Sequence, residues 1–484
     1  MEIMVSFLSD LDVFLRSAVA QELTFWLAGV ALVMLTAESC LRLLNRDSLG
    51  IMVGVYVTVF AWYFVDPFTN PEQYDYLPSS SLGQSYGQVL LFLIGFRVFT
   101  PAATRWILSR RGLRIFDTRL TPEQILRGVA AIWLFLFIIG IARMGGDVVG
   151  AVLPLDGRAG PMMWGRGAVE SGASGFLISS AGYTFVAVTA FLGVLVFFQR
   201  DTAWRLLAGA MFAITLPYFF FSGARNILLA VVMPFILTYM FYGRVLGRHL
   251  LILKLAILVI AFFSLNEGFK FVVAYRLHGF RDVLASENPY EIPEEHSTQS
   301  GLNMIQELCF VNTYLETSAG SPAYGARYLN ELLNFVPRAI WPSKPLLGID
   351  YAIWRGFDDP DSEIGVRATI STGMIGGGVL NFGQIFGPVA AAILIALWTG
   401  LLIRWWKQRQ SLLRLMLFML GAGLTFNLGR DITLLVLWPV LFAYFFVRLT
   451  ERWPRGRFQQ LPQLATVVHA NTGPMQVVAG RLSQ

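Results

Sequence analysis

The residues of this chain best suited to chemistry are arginines set in short turns and rigid loops. Ser222-Gly223-Ala224-Arg225-Asn226 separates two apolar runs, and Ser222 is placed to cap the helix that follows, so that backbone N–H groups and a positive dipole end gather beside Arg225. Asn427-Leu428-Gly429-Arg430-Asp431 repeats the arrangement late in the chain, with Asp431 as cap and partner for Arg430. Between these turns stand Arg276, His278, Arg281 and Asp282, then Arg338, Lys344, Arg355 and Arg367. Pro337-Arg338-Ala339-Ile340-Trp341-Pro342-Ser343-Lys344-Pro345 is the most distinctive string, because its prolines fix the backbone and hold an Arg and a Lys beside the Trp341 indole. Guanidinium forks and helix N-termini stabilise charge that develops on a phosphate or pyrophosphate oxygen. Arg225, Arg276, Arg281 and Arg338 are the first candidates for that role, and Lys344, Arg355, Arg367 and Arg430 the second. The plainer reading of the same arginines is anchorage, with aliphatic stems in lipid and charged heads among the headgroups.

Other chemistries find little support. The histidines His249, His278, His296 and His469 do not pair at ligand spacing, so no metal is expected. Asp358, Asp359, Asp361 and Glu363 match no calcium loop, Pro360 interrupts them, and they read as a solvated acidic loop. Ser371-Thr372-Gly373-Met374-Ile375-Gly376-Gly377-Gly378, leading to Asn381-Phe382-Gly383, lacks the Lys-Ser/Thr ending of a nucleotide loop; it suits close helix packing or a broken helix lining a cavity. No cofactor is called for. Cys40 falls in an apolar run and Cys309 in a long hydrophilic stretch, so a disulfide between them is not expected. The 37 Lys and Arg against 31 Asp and Glu sit mostly in short loops and the tail, without a lysine stripe interleaved with aromatics, which excludes nucleic acid as a partner.

The elements that must position these residues are membrane spans. A chain that is 55% hydrophobic and 14% charged, with mean hydropathy +0.59, has more apolar surface than a soluble core can hide. Apolar runs of span length fall near 22–43, 49–66, 85–107, 124–142, 176–198, 205–221, 226–242, 249–266, 384–404, 411–428 and 432–449. The expected fold is an all-α polytopic transmembrane bundle of about eleven spans, with one large periplasmic loop containing short amphipathic helices. Residues 1–266 and 371–450 would hold the spans, 267–370 the loop and 451–484 a cytoplasmic tail. Arg42 and Arg46, Arg105 to Arg119, Arg200 and Arg205, Arg244 and Arg248, Arg404 to Arg409, and Arg448 to Arg457 all fall on one side, which the positive-inside rule assigns to the cytoplasm. The N-terminus then lies outside, as an interfacial amphipathic segment. Within the loop, GLNMIQELCFVNTYLE and ARYLNELLNFV carry helical periodicity and are expected to lie on the membrane face, with a mobile acidic loop between them. The stretch 371–404 is long enough to hide a re-entrant turn. No internal repeat is visible, and Arg97, the clearest ionisable residue deep in a span, is expected to snorkel inward.

The Ser-Gly-Ala-Arg-Asn turn at 222–226, the Pro-Arg-Ala-Ile-Trp-Pro-Ser-Lys-Pro strap at 337–345 and the Ser-Thr-Gly … Asn-Phe-Gly entry to a late span together resemble Wzy-type polymerases, the bacterial O-antigen or oligosaccharide repeat-unit polymerases. The resemblance covers the second half of the chain. It implies an inner-membrane enzyme acting at the periplasmic face on undecaprenyl-pyrophosphate-linked oligosaccharide, for surface polysaccharide or exopolysaccharide. A hydroxyl of one lipid-linked repeat, giving its proton to His278 or Asp282 as general base, attacks the anomeric carbon of another, and the lipid pyrophosphate leaves without nucleotide sugar, ATP or metal. Membrane lipid, a chain-length regulator and a flippase would be its partners. The competing readings are an O-antigen ligase moving glycan to an acceptor, a flippase or transporter, and a scaffold. A transporter would carry more ionisable residues deep in its spans.

Overall fold

Helices here are apolar on both sides, and that decides their solvent. Helix α1 (Leu23–Leu44) buries Phe25, Ala28 and Leu32 yet exposes Leu27, Val30, Val33 and Met34, as only a lipid-facing helix can without penalty. This computed structural model describes residues 12–109, 120–156, 161–164, 173–222, 225–242, 279–285, 303–317, 320–333, 336, 340–341, 349–356, 370–430 and 436–452. Every regular element among them is helical. After α1 come α2 (Val53–Tyr63), α3 (Ser79–Ser109), α4 (Pro122–Arg143), α5 (Ala173–Leu195), α6 (Thr202–Phe221) and α7 (Arg225–Tyr242). The stretch between spans supplies α8 (Phe280–Ala285), α9 (Met304–Glu316), α10 (Ala326–Leu332) and α11 (Ile349–Trp354), and the chain closes with α12 (Gly373–Lys407), α13 (Leu412–Leu424) and α14 (Trp438–Arg452). Seven of the described helices are long and apolar enough to cross a membrane. The expected spans at 49–66 and 226–242 are shorter apolar helices, Ser48–Tyr63 and Ile227–Tyr242; that at 432–449 is helical from Trp438, and that at 249–266 lies outside the described residues.

The helices run up and down between two ends of unlike character. At the basic end, Gln199 Nε2 donates to Pro122 O (3.1 Å), Arg127 lies over the Trp204 ring (5.0 Å) and the buried Arg414 forms a two-pronged pair with Glu451. Helix starts there are capped: Thr121 and Gln124 form a capping box, and the Asp201 carboxylate accepts from Ala203 N. The opposite, loop end carries α9 and the chain's first described residues, where Phe14 packs on Phe25 and Phe68, so the N-terminal segment is tied into the bundle rather than lying free on its surface. Arg97 corrects the expectation of snorkelling. Its Nε and Nη2 donate to Glu38 on the neighbouring helix (2.9 and 2.7 Å), and that carboxylate also accepts from Arg42, so the guanidinium is paired rather than reaching along its helix for headgroups.

Helix α12 contains the re-entrant turn. Gly383 sits at φ 78°, ψ 178°, a conformation closed to side chains with a Cβ. A Cβ on Gly378 would meet Gly387 O and lie 3.1 Å from the Ala391 Cβ, and one on Gly387 would strike the Val379 backbone. In a straight helix these partners would stand about 13 and 19 Å apart. The limbs 373–382 and 384–407 therefore fold back on each other, glycine against glycine. Replacing Gly387 with Leu is expected to cost about 1–3 kcal/mol or more through overpacking, whereas Gly209→Ala, with open space around the added methyl, should gain about 0.5–1 kcal/mol of helix propensity. Thermal unfolding of the purified protein in detergent checks this, and equal melting temperatures for the two variants would refute the hairpin packing.

Candidate functional site

The short limb of the hairpin starts inside the bundle, against the turn that ends α13. Gly373 N donates to Arg430 O (3.2 Å), and Ile375 N donates to the Tyr63 hydroxyl (3.2 Å). Trp62 Nε1 donates to Phe426 O (2.7 Å) and Thr58 Oγ1 to Thr425 O (3.2 Å), so α2 holds the Thr425–Gly429 turn in place. Two glycines permit this closeness. Gly373 has φ +73° with Tyr63 Oη and Gly429 O where a Cβ would stand, and a Cβ on Gly429 would overlap the Trp62 ring.

Above this junction lies a small cleft of about 60 Å³. Arg430, Ser371 and Thr372 line it from the junction, Gly377 from the limb, and Tyr328 and Glu331 from α10. Arg430 Nε donates to Ser371 Oγ (3.1 Å), which aims the guanidinium along the cleft wall. Helix α10 is held by its surroundings, not by its own core, since it has no buried residue. Ala323 N donates to Leu380 O (3.0 Å), Gly325 at φ +88° admits the Phe382 ring, and Arg327 pairs with Asp350 (2.6 Å). Asp350 also accepts from the Tyr314 hydroxyl (2.9 Å), whose pKa is pushed up to about 12 by burial and then by that carboxylate, so Tyr314 stays a donor at neutral pH.

Helix α9 departs from the expectation of a helix on the membrane face. Nine of its 13 residues are buried, Asn312 among them. Asn312 and Gln88 exchange two hydrogen bonds (Gln88 Nε2 to Asn312 Oδ1 2.8 Å, Asn312 Nδ2 to Gln88 Oε1 3.0 Å), and Ser85 Oγ accepts from Asn312 Nδ2 (3.0 Å). Ser81 Oγ donates to Cys309 O (3.1 Å). A polar stripe on α3, invisible from the α9 sequence, turns what reads as a wet face into a second packed one. Second-half expectations for ARYLNELLNFV fare differently, as α10 stays at the surface.

The sequence candidates divide three ways. Arg430 reaches the cleft, joined by Ser371 and Thr372 from the glycine-rich entry. Arg225 opens α7, and Gly423 of α13 packs on Met233 and Pro234 of α7, so the turns at Arg225 and Arg430 share the loop end of one helix pair. Ser222 Oγ donates back to Phe219 O (3.0 Å), closing α6. Helix α8 docks at the same corner, with Phe280 N donating to Leu155 O (2.6 Å) and its ring against Phe221, and leaves Arg281 exposed. Arg355 belongs to the loop helices instead; it pairs with Glu307 (3.3 Å) and lies over the Phe310 ring (3.6 Å), while the Tyr351 hydroxyl donates to Glu307. Trp341 is half-buried beside an exposed Ile340. The side chains of Arg225 and Asp282, together with Arg276, His278, Arg338, Lys344, Arg367, Asp431 and the acidic run 358–363, lie outside the described residues. Sequence reasoning passed over Tyr63, Tyr328 and Glu331; for the last two, their three-residue spacing on an amphipathic helix was the available signal.

If the Asn312–Gln88 pair seats α9, Asn312→Leu leaves Gln88 Oε1 buried without the donor it has in Asn312, while Nε2 keeps Gln384 O (3.2 Å), at a cost of about 1–3 kcal/mol. Burial shields the Cys309 thiol and pushes its pKa up to about 11. In a Cys40→Ser background, maleimide labelling of Cys309 should be slow and should speed up at least tenfold in the Asn312 variant; unchanged labelling would show that the pair does not seat the helix. No known family model, curated protein or solved structure matches this chain.

Proposed function

We propose that this protein is a membrane glycosyltransferase that polymerises undecaprenyl-pyrophosphate-linked oligosaccharide repeats into surface polysaccharide. The positive-inside rule assigns the basic end to the cytoplasm of a bacterial inner membrane, and the cleft then opens to the periplasm, where lipid-linked repeats await joining. The observation that carries the reading is the Arg430 cleft: a guanidinium anchored on Ser371, beside Thr372, at the end of the bundle where Arg225 opens its helix and Arg281 stands exposed. In the transfer, the hydroxyl of one lipid-linked repeat bonds to the anomeric carbon of the growing chain's first sugar. The bond from that carbon to the pyrophosphate oxygen breaks, and its electron pair leaves with the lipid diphosphate. Charge therefore grows on the leaving oxygen in the transition state, and a cation already oriented there stabilises it without reorganising solvent.

Arg430→Ala should lower polymerisation about 100- to 1000-fold, as expected for removal of one preorganised donor, and Arg430→Lys should retain part of it because a point charge lacks the fork geometry. Surface glycan from cells expressing each variant at equal protein level, displayed on a gel, reads the outcome. A polymer deficit with single repeat units still attached supports the polymerase. Full-length ladders from Arg430→Ala would remove the site, and full-length unattached polymer after deletion of the gene would point to a ligase instead.

A further inference from the structure

We propose that the basic end of the bundle carries a binding site for one anionic glycerophospholipid, its phosphodiester held between the start of α4 and the turn that joins α5 to α6. Three arginines meet at that corner. Arg127, in the second turn of α4, lies over the Trp204 ring of α6 (5.0 Å). Arg205 follows that tryptophan and donates through Nη2 to Gln199 O (2.9 Å), and Arg200 stands exposed in the turn between them. Hydrogen bonds make the corner one surface and not three loose side chains. The buried Gln199 side chain donates to Pro122 O (3.1 Å), which ties the α5–α6 turn to the first residue of α4, and Asp201 caps α6 by accepting from Ala203 N (2.8 Å).

The charge at this corner is handled differently from that of the ion pairs elsewhere at the same end. Arg42, Arg97 and Arg414 each meet a carboxylate. Among the described residues, Arg127, Arg200 and Arg205 pair with none, although Glu123 and Asp201 belong to the same corner. A ring beneath a guanidinium draws on its charge and leaves its N–H groups to other acceptors, and a single carbonyl takes one donor of five. The remaining donors have the fork geometry that matches phosphate oxygens.

The surface further in selects a lipid over a free phosphate. Leu134 and Ile138 follow Arg127 at i+7 and i+11 on one face of α4 and are exposed, as are Leu206 and Leu207 beside Arg205 on α6. The two helices are joined deeper in the membrane by Trp133 Nε1 donating to Thr215 Oγ1 (3.1 Å), so the acyl chains of a lipid held at the corner run along apolar surface on both. A basic pocket between spans with such a surface beneath it draws an anionic headgroup out of the bulk leaflet. A zwitterionic lipid brings its own cation to the guanidiniums, and that repulsion sets the preference. The site is independent of the chemistry proposed for the Arg430 cleft, which lies at the opposite end of the bundle.

The test is lipid retention by the full-length protein, purified in detergent, delipidated, titrated with phosphatidylglycerol or with phosphatidylcholine of the same acyl chains, and read by native mass spectrometry. Wild type should keep one phosphatidylglycerol in preference to phosphatidylcholine. Arg127→Gln, Arg200→Gln and Arg205→Gln should each weaken that binding about fivefold, and the triple variant about 100-fold, the contribution expected of guanidiniums at an anionic lipid. Arg105→Gln, which removes an exposed cation of α3 at the same end, should leave it unchanged. Should Arg205→Gln fail to fold through loss of its bond to Gln199 O, Arg200→Gln carries the test, because the Arg200 side chain is exposed. Equal retention of the two lipids, or equal effects of Arg127→Gln and Arg105→Gln, would overturn the site. Inorganic phosphate bound as tightly as phosphatidylglycerol would overturn it too, by showing an anion site in which acyl chains have no part.

Discussion

The contact of Gly378 with Gly387 holds the rest of the site in place. Two backbones touch there with no side chain between them, and this lets one apolar run become a pair of antiparallel limbs. The short limb brings Ser371 and Thr372 into the bundle, where the Thr425–Gly429 turn meets them with its following residue, Arg430. A polar backbone brought to that depth needs partners. It has them in the Tyr63 hydroxyl, the Arg430 carbonyl, the Trp62 indole and the Thr58 hydroxyl, each of which bonds the backbone of one of the two segments. Irregular backbone lining a protein cavity is thus bought without exposing unsatisfied groups to lipid.

Around that junction, the loop helices are organised by polar groups in place of a hydrophobic core of their own. Helix α9 is the exception and the pivot: it is buried on the α3 side through the Asn312–Gln88 exchange and at its start through Met304, whose sulfur lies beside Gly373. Glu307 and Asp350 then act as shared acceptors, tying α9 to α11 and α11 to α10. Each carboxylate accepts from a tyrosine and an arginine, so removing either donor still leaves one hydrogen-bond partner. Helix α10, with no fully buried residue, owes its position over the cleft to this relay and to the tip of the hairpin at Leu380 and Asn381.

The balance of charge follows the same division. At the basic end, Arg414 and Glu451 are almost fully buried and form a closed pair, and Glu38 serves Arg97 and Arg42 together, so these arginines are neutralised by neighbours. At the loop end, Arg430 donates to the Ser371 hydroxyl and lines a cleft.

The apolar runs alone determined that the chain is helical and that most of its helices face lipid, because hydropathy and span length depend only on composition along the chain. Segment ends near 22–43, 85–107, 124–142 and 205–221 were legible to within a few residues for that reason, and the glycine spacing after Ser371 already allowed a broken helix. Arg430 was legible as a cation out of place in an apolar turn. What the chain order could not disclose was partnership: that Gln88 waits for Asn312, that Glu38 takes Arg97, and that Glu331 shares a cleft with Arg430 a hundred residues further on. Periodicity shows which side of a helix is polar, but only the folded arrangement decides whether that side meets water, lipid or another helix's hydrogen bonds.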